Sequence, residues 1–152
     1  MDSESLLKNT QEMLTPLTTQ FNTPEAGRLD AYLPAERIVE GVKMMVEAGG
    51  WHLASMTGLD IPQTDTTEGA IEVLYQFCQG PAVLTLRIQA PYGLPEIASI
   101  CPVLPAATLY ERELIEMFGV IFDGTPSRDR LLLPDDWPDW VYPLRKSFER
   151  LE

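Results

Sequence analysis

The chain has 152 residues, of which 45% are hydrophobic and 22% are charged, and its formal net charge is −12. This length and composition are typical of one soluble globular domain with its own core. The acidic surplus disfavours binding to nucleic acid and to anionic lipid, because both ligands need cations.

The sequence also carries no signal for the membrane. No apolar run approaches the roughly 18 residues that identify a spanning helix. Residues 1–9, MDSESLLKN, place acidic side chains where a secretory signal needs positive charge. We therefore expect a cytoplasmic protein without direct membrane insertion; if it works at a membrane, it does so through partners.

The first third of the chain predicts a helix, a strand and a second helix. Residues 3–20 have a weakly helical pattern, and residues 28–34 alternate as a short strand. Residues 34–48 then place apolar side chains at helical spacing. Gly49 and Gly50 are typical of a helix end.

The middle of the chain predicts strands. Residues 51–61 form one strand, and residues 70–77 and 83–90 form a hairpin through a turn at 78–82. Residues 97–103 predict a further extended segment. The order of elements favours an α+β fold, an antiparallel or mixed sheet with helices packed on one face.

A third, charged helix is predicted over residues 111–117, with Gly119 as its end. Thr108 and Glu111 have the spacing of a capping box, in which each side chain bonds the backbone N–H of the other residue. An extended segment closes the predicted domain, residues 1–126, of which residues 1–28 are a partly helical N-terminal segment.

Residues 127–152 predict an irregular, proline-rich C-terminal arm. Prolines at 134, 138 and 143 prevent a continuous helix. The arm is also rich in leucine and aromatic residues, which an exposed loop does not tolerate in such number. The arm must therefore bury these side chains against its own domain or against another protein.

The residues give little support for chemistry in this chain. Glu111, Glu113 and Glu116 could act as acid, base or metal ligands, but helical carboxylate sites usually combine Glu with His. The only histidine, His52, lies in a predicted strand, and two isolated cysteines are too few for a zinc or iron–sulfur site. We therefore predict no catalytic, cofactor-binding or metal site.

Three blocks resemble, in order and spacing, the signature of a known family: ERELIEMFG at 111–119, VIFDGTP at 120–126 and PLRKSF at 143–148. They are similar to the family of the 30 kDa subunit, or C subunit, of respiratory complex I. That family shares ancestry with accessory subunits of group 4 membrane-bound [NiFe]-hydrogenases and formate hydrogenlyase-type complexes. The resemblance covers residues 29–148, with departures such as Glu116 in place of aspartate and Thr125 in place of histidine.

This resemblance implies a non-catalytic accessory or assembly subunit of a membrane-associated electron-transfer complex. It implies docking on the large catalytic subunit of a [NiFe]-hydrogenase-like oxidoreductase. An alternative is the C subunit of a complex I-type NADH- or deazaflavin-linked quinone oxidoreductase, and another is a stand-alone adaptor protein. In either complex the iron–sulfur clusters, and the nickel–iron centre of the hydrogenase branch, belong to partner subunits and not to this chain.

The charged and aromatic residues near the C-terminus predict where the partner binds. Arg145 suits bidentate contact with a carboxylate, and the tryptophans suit anchoring. We therefore predict that reversal of the Arg145 charge impairs assembly more than folding. The predicted interface comprises Glu111, Arg112, Glu113, Arg128, Arg130, Trp137, Trp140, Pro143, Leu144, Arg145 and Lys146.

Overall fold

The structure is a computed structural model that describes residues 1–151. Short 3-10 turns precede the second and third helices. The helices are α1 (Ser3–Leu14), α2 (Ile38–Ala48) and α3 (Thr108–Phe118). The strands are β1 (Phe21–Asn22), β2 (Arg28–Tyr32), β3 (His52–Ile61), β4 (Ala70–Gln79), β5 (Ala82–Pro91), β6 (Glu96–Ala98) and β7 (Ile121–Asp123).

The main sheet is mixed and has the strand order β1-β2-β5-β4-β3. β3, β4 and β5 pair in antiparallel fashion, whereas β2 runs parallel to β5. β6 and β7 form a separate parallel pair. The predicted α+β fold and the predicted hairpin are therefore confirmed.

One face of the sheet carries the core and all three helices. Tyr75 of β4 lies opposite Leu86 of β5, and both side chains are fully buried there. α2 packs close to this face, because a Cβ atom added to Gly41 would lie 3.5 Å from Leu86. The predicted placement of the helices on one face is thus confirmed.

The opposite face is polar and carries a charged cluster at its centre. The Arg87 guanidinium donates to Glu72 at 2.7 Å and to Asp30 at 3.0 Å. Glu72 lies on β4, Arg87 on β5 and Asp30 on β2, so the cluster joins the parallel strand to the hairpin. Because each carboxylate is paired with the Arg87 guanidinium, this pairing offsets the free-energy cost of removing the carboxylates from water.

Three helix boundaries differ from the sequence-based expectation. α2 begins at Ile38, after a 3-10 turn, and not at residue 34. α1 ends at Leu14 and does not reach residue 20, because the proline at position 16 has no N–H to continue the helical hydrogen bonds and its ring clashes with the preceding turn. The predicted capping box at Thr108 is wrong, although the helix itself and its end at Gly119 are confirmed. The turn 105–107 runs directly into α3, so Thr108 already has helical angles, φ −55° and ψ −39°. A capping residue needs extended backbone instead.

Three further observations complete the fold. β1 and the pairing of β6 with β7 were not predicted, because two or three residues are too few to show a period. The expected extended segment 97–103 holds only the end of β6 and then turns. No helix within residues 1–151 is long and apolar enough to span a bilayer.

The contact between α3 and β3 depends on a residue without a side chain, which allows a test. A Cβ atom on Gly58 would lie 2.5 Å from the Phe118 ring. We expect Gly58→Ala to lower the free energy of unfolding by about 1–3 kcal/mol, because the buried ring must move. Chemical denaturation of both proteins measures this difference.

Gly93→Ala is the matched control, because its added Cβ meets no atom within 4 Å. It should change the free energy of unfolding by no more than about 0.5 kcal/mol. Equal effects of the two substitutions would contradict the close approach of α3 to β3.

Candidate partner-docking site

Glu111 anchors the inner side of α3. Its carboxylate is fully buried and accepts hydrogen bonds from Ser99 Oγ at 2.7 Å and from the Ile100 N–H at 3.0 Å. The Cys101 thiol donates to the same carboxylate at 3.3 Å. Burial, and to a lesser degree Glu111 itself, raises the pKa of Cys101 to about 11, so this thiol stays protonated at neutral pH. Glu111 therefore fixes α3 to the loop after β6 and does not reach the surface.

Two other side chains of α3, those of Arg112 and Glu116, bind the backbone at the beginning of the arm. Arg112 donates through Nε to the Asp129 carbonyl at 3.0 Å and through a terminal nitrogen to the Arg130 carbonyl at 2.8 Å. Glu116, one turn later, accepts from the backbone N–H groups of residues 131–133 at 3.2, 2.7 and 3.5 Å. A carboxylate with several N–H donors makes strong, charge-assisted bonds. We call Arg112 and Glu116 the arm clamp.

The returning half of the arm closes the C-terminal end of α3. The Leu144 N–H donates to the Met117 carbonyl at 3.1 Å, and Arg145 Nε donates to the Phe118 carbonyl at 2.7 Å. The last carbonyls of a helix have no partner within the helix. Leu144 and Arg145 therefore satisfy acceptors that the helix leaves open.

Aromatic rings fix the position of Arg145. Its guanidinium carbon lies 4.8 Å from the centroid of the Tyr142 ring and 5.7 Å from that of Tyr92. Tyr142 in turn lies directly over Gly119, which has a φ of 75°. Only glycine satisfies both demands easily, since the position needs left-handed backbone and leaves no room for a Cβ atom.

The arm also contacts the end of β3. The Lys146 N–H donates to Asp60 Oδ2 at 2.7 Å, and Asp60 is itself buried. The arm is thus fixed at three places, namely the side of α3, the end of α3 and the end of β3.

Several large side chains of the arm remain on the outside. The exposed fractions are 63% for Leu132, 86% for Trp140 and 52% for Leu144. Trp137 differs, because it is half-buried, donates through Nε1 to the Val141 carbonyl at 2.8 Å and packs beside Phe148. We call Arg128, Leu132, Trp140, Leu144 and Lys146 the outer arm surface, since all five are exposed.

The structure divides the predicted interface residues by the contacts of their side chains. The side chains with hydrogen bonds inside the chain are those of Glu111, Arg112, Arg130, Trp137 and Arg145, and among these only Glu111 is completely inaccessible to a partner. The exposed side chains are those of Arg128, Trp140, Leu144 and Lys146, whereas Glu113 and Pro143 are half-buried.

Sequence reasoning missed the roles of Glu116 and Asp60. For Glu116, the spacing of four residues from Arg112 was the available signal. The contact of Asp60 with the arm joins residues far apart in the sequence and left no local signal.

The described part of the chain contains no group of three His, Cys, Asp or Glu side chains arranged as metal ligands. Cys78 belongs to β4 and is half-buried, whereas Cys101 lies buried beside Glu111. The site is therefore the outer arm surface, whose backbone is held in one conformation by the arm clamp.

Removal of the clamp charge tests this geometry. Glu116→Gln replaces one acceptor oxygen with a donor that faces backbone N–H groups. We expect the free energy of unfolding to fall by about 1–3 kcal/mol and hydrogen exchange at residues 131–133 to become faster. The control is Glu113→Gln on the same helix, because the bonds to the N–H groups of residues 131–133 come from Glu116 and not from Glu113. Equal exchange in the two variants would contradict the clamp.

The contacts of Arg145 within the chain add a cost in stability to the expectation that reversal of its charge impairs assembly more than folding. Arg145→Glu removes the bond to the Phe118 carbonyl and the aromatic contacts, and places a carboxylate beside a carbonyl. We expect the isolated variant to lose about 1–3 kcal/mol of stability. Thermal denaturation measures this loss against Arg150→Glu, whose exposed side chain should matter by less than about 0.5 kcal/mol. A wild-type melting temperature for Arg145→Glu would refute the internal role.

Two curated relatives resemble the chain over most of its length. Formate hydrogenlyase subunit 5 of Escherichia coli is 38% identical over 116 residues, which are 76% of this chain but only 20% of that protein. The C subunit of the F(420)H(2) dehydrogenase of Methanosarcina mazei is 31% identical over 153 aligned residues, which cover 98% of this chain and 93% of that protein. The chain therefore corresponds to a fifth of the first relative and to nearly all of the second.

A solved structure has the same fold. It belongs to the membrane-bound sulfane sulfur reductase, an archaeal respiratory membrane complex, and superposes with a TM-score of 0.81 at 25% identity. The match covers 97% of this chain and 86% of that one. The model of one protein family, described as the respiratory-chain NADH dehydrogenase 30 Kd subunit, matches residues 31–152. Because this match includes strands β3 to β7, the charged helix and the C-terminal blocks, the chain belongs to the 30 Kd subunit family of respiratory-chain NADH dehydrogenase.

Proposed function

We propose that this chain is a non-catalytic accessory subunit of a membrane-associated electron-transfer complex. Its outer arm surface docks on the large catalytic subunit of a [NiFe]-hydrogenase-like enzyme. The observation that carries the proposal is the contrast between the two sides of the arm. The backbone is bonded to α3 and β3, while Leu132, Trp140 and Leu144 face outward. Exposed aromatic and aliphatic residues in a fixed shape are typical of an interface.

The lengths of the relatives support a large partner. In formate hydrogenlyase subunit 5, the region similar to this chain makes up 20% of a much longer polypeptide. In that relative the similar region and the remainder belong to one polypeptide, which supports contact between this chain and the counterpart of that remainder. That relative's name also associates the longer polypeptide with a hydrogenlyase.

We assign the redox centres to the partners. An iron–sulfur cluster needs several thiolate ligands, and this sequence has two cysteines. Cys78 and Cys101 lie on different elements, one on a strand and one in the loop before α3. In this proposal the partners hold the iron–sulfur clusters and any nickel–iron centre, and this chain is peripheral to the cytoplasmic membrane through them.

A second candidate is the C subunit of a complex I-type enzyme that passes electrons from NADH or a deazaflavin to a quinone. The alignment with the F(420)H(2) dehydrogenase relative favours it, because that alignment covers nearly the whole of both proteins. The sequence of the large partner distinguishes the two candidates. Two Cys-x-x-Cys pairs able to bind nickel indicate the hydrogenase, and their absence indicates the quinone-linked enzyme.

Affinity purification tests the proposal. The chain, tagged in its own organism, is extracted from membranes with mild detergent, and the bound proteins are identified by mass spectrometry. We expect a large subunit and iron–sulfur subunits in constant ratio, with iron in the complex and none in the chain expressed alone. Purification of the chain without these subunits would refute the proposal and favour the stand-alone adaptor.

A further inference from the structure

Trp140 has an unfavourable backbone conformation, and contacts of its side chain within the chain do not compensate for it. Its φ is 67°, the one positive φ of a non-glycine residue within residues 1–151. Left-handed backbone is unfavourable for residues with a Cβ atom, and a bulky side chain at such a position is a genuine outlier. Because 86% of the side chain is exposed, packing within this chain does not compensate for that conformation.

The turn around Trp140 is nevertheless firmly built. An Arg130 terminal nitrogen donates to the Trp137 carbonyl at 3.1 Å and to the Asp139 carboxylate at 3.3 Å. Trp137 closes the other side through its bond to the Val141 carbonyl. The hydrogen bonds on both sides of Trp140 therefore hold its backbone in place and leave the indole outside.

Two grooves flank the indole, and each has an exposed arginine at its edge. Arg128 lines one groove, in which Glu116 and Asp139 are already bonded within the chain, and Arg150 lines the other, in which Glu149 is the carboxylate. Arg128 and Arg150 form no salt bridge within the described chain. In a protein with a net charge of −12, two unpaired cations beside an exposed indole favour a partner with carboxylates.

We infer that Trp140 is the anchor of the interface, and that it inserts into an apolar pocket of a partner protein whose rim carries carboxylates for Arg128 and Arg150. The inference rests on the proposed function and adds the chemistry of the partner face to it. The apolar lining would receive the indole, and the carboxylates would set its orientation. Strained backbone of this kind is typical of functional positions, because the surrounding structure must enforce it.

The first measurement concerns the isolated chain. Asparagine accepts left-handed backbone more readily than tryptophan, so Trp140→Asn should melt at the wild-type temperature or above it. A clearly lower melting temperature would mean that the indole stabilises the fold, and would overturn the inference. The control Leu94→Asn removes a side chain that is 57% exposed and that belongs to the loop between β5 and β6, not to the arm.

The second measurement uses the large subunit that purifies with the wild-type chain. We expect Trp140→Asn to weaken its binding at least about tenfold, as for an interface hot spot, and Leu94→Asn to leave the binding unchanged. Arg128→Glu with Arg150→Glu should weaken it too, and this effect should shrink at high salt because the charges are exposed.

The outcomes separate the inference from the proposed function. If the wild-type chain binds no large subunit, the proposed function fails, and the docking inference fails with it. If the wild-type chain and Trp140→Asn bind equally well, only the anchor role is overturned. If Trp140→Asn instead dissociates a dimer of this chain, the occupant is a second copy and the inference is wrong.

Discussion

The bond between the Glu116 carboxylate and the backbone of residues 131–133 is the constraint on which the rest of the C-terminal structure depends. A segment without helix or strand has no regular partners for its N–H groups. Glu116 supplies an acceptor for three of them, and Arg112 supplies donors for the carbonyls just before. An irregular arm thereby gains one defined path over α3.

The sheet determines where this path runs. α3 packs on the core face through Phe118, whose ring lies against Gly58 of β3, and Glu111 fixes its first turn to the loop after β6. The arm then contacts α3 and the end of β3. The shape of the surface is therefore a property of the whole domain, although the side chains that it displays come from the arm.

Much of the fold could be predicted from the sequence, because its long elements have clear periods. The hairpin of β4 and β5 and the apolar stripe of α2 are examples. The role of Glu111 could not be predicted, since a buried carboxylate and a capping carboxylate leave the same pattern in the sequence and differ only in what lies beneath the helix. Arg145 was predicted as a partner contact for a similar reason. A charge pattern reports that a cation is present, and only the folded chain shows whether a carbonyl, a ring or another protein lies opposite it.

The parallel pairing of β2 with β5 has a consequence for folding during synthesis. During synthesis β2 and α2 emerge well before β5, which is the strand that joins β2 to the rest of the sheet. Pairs distant in sequence form late, because a long loop must first close. The apolar face of α2 therefore lacks its sheet partner until the hairpin has formed. In that interval the nascent chain exposes a surface that chaperones can bind.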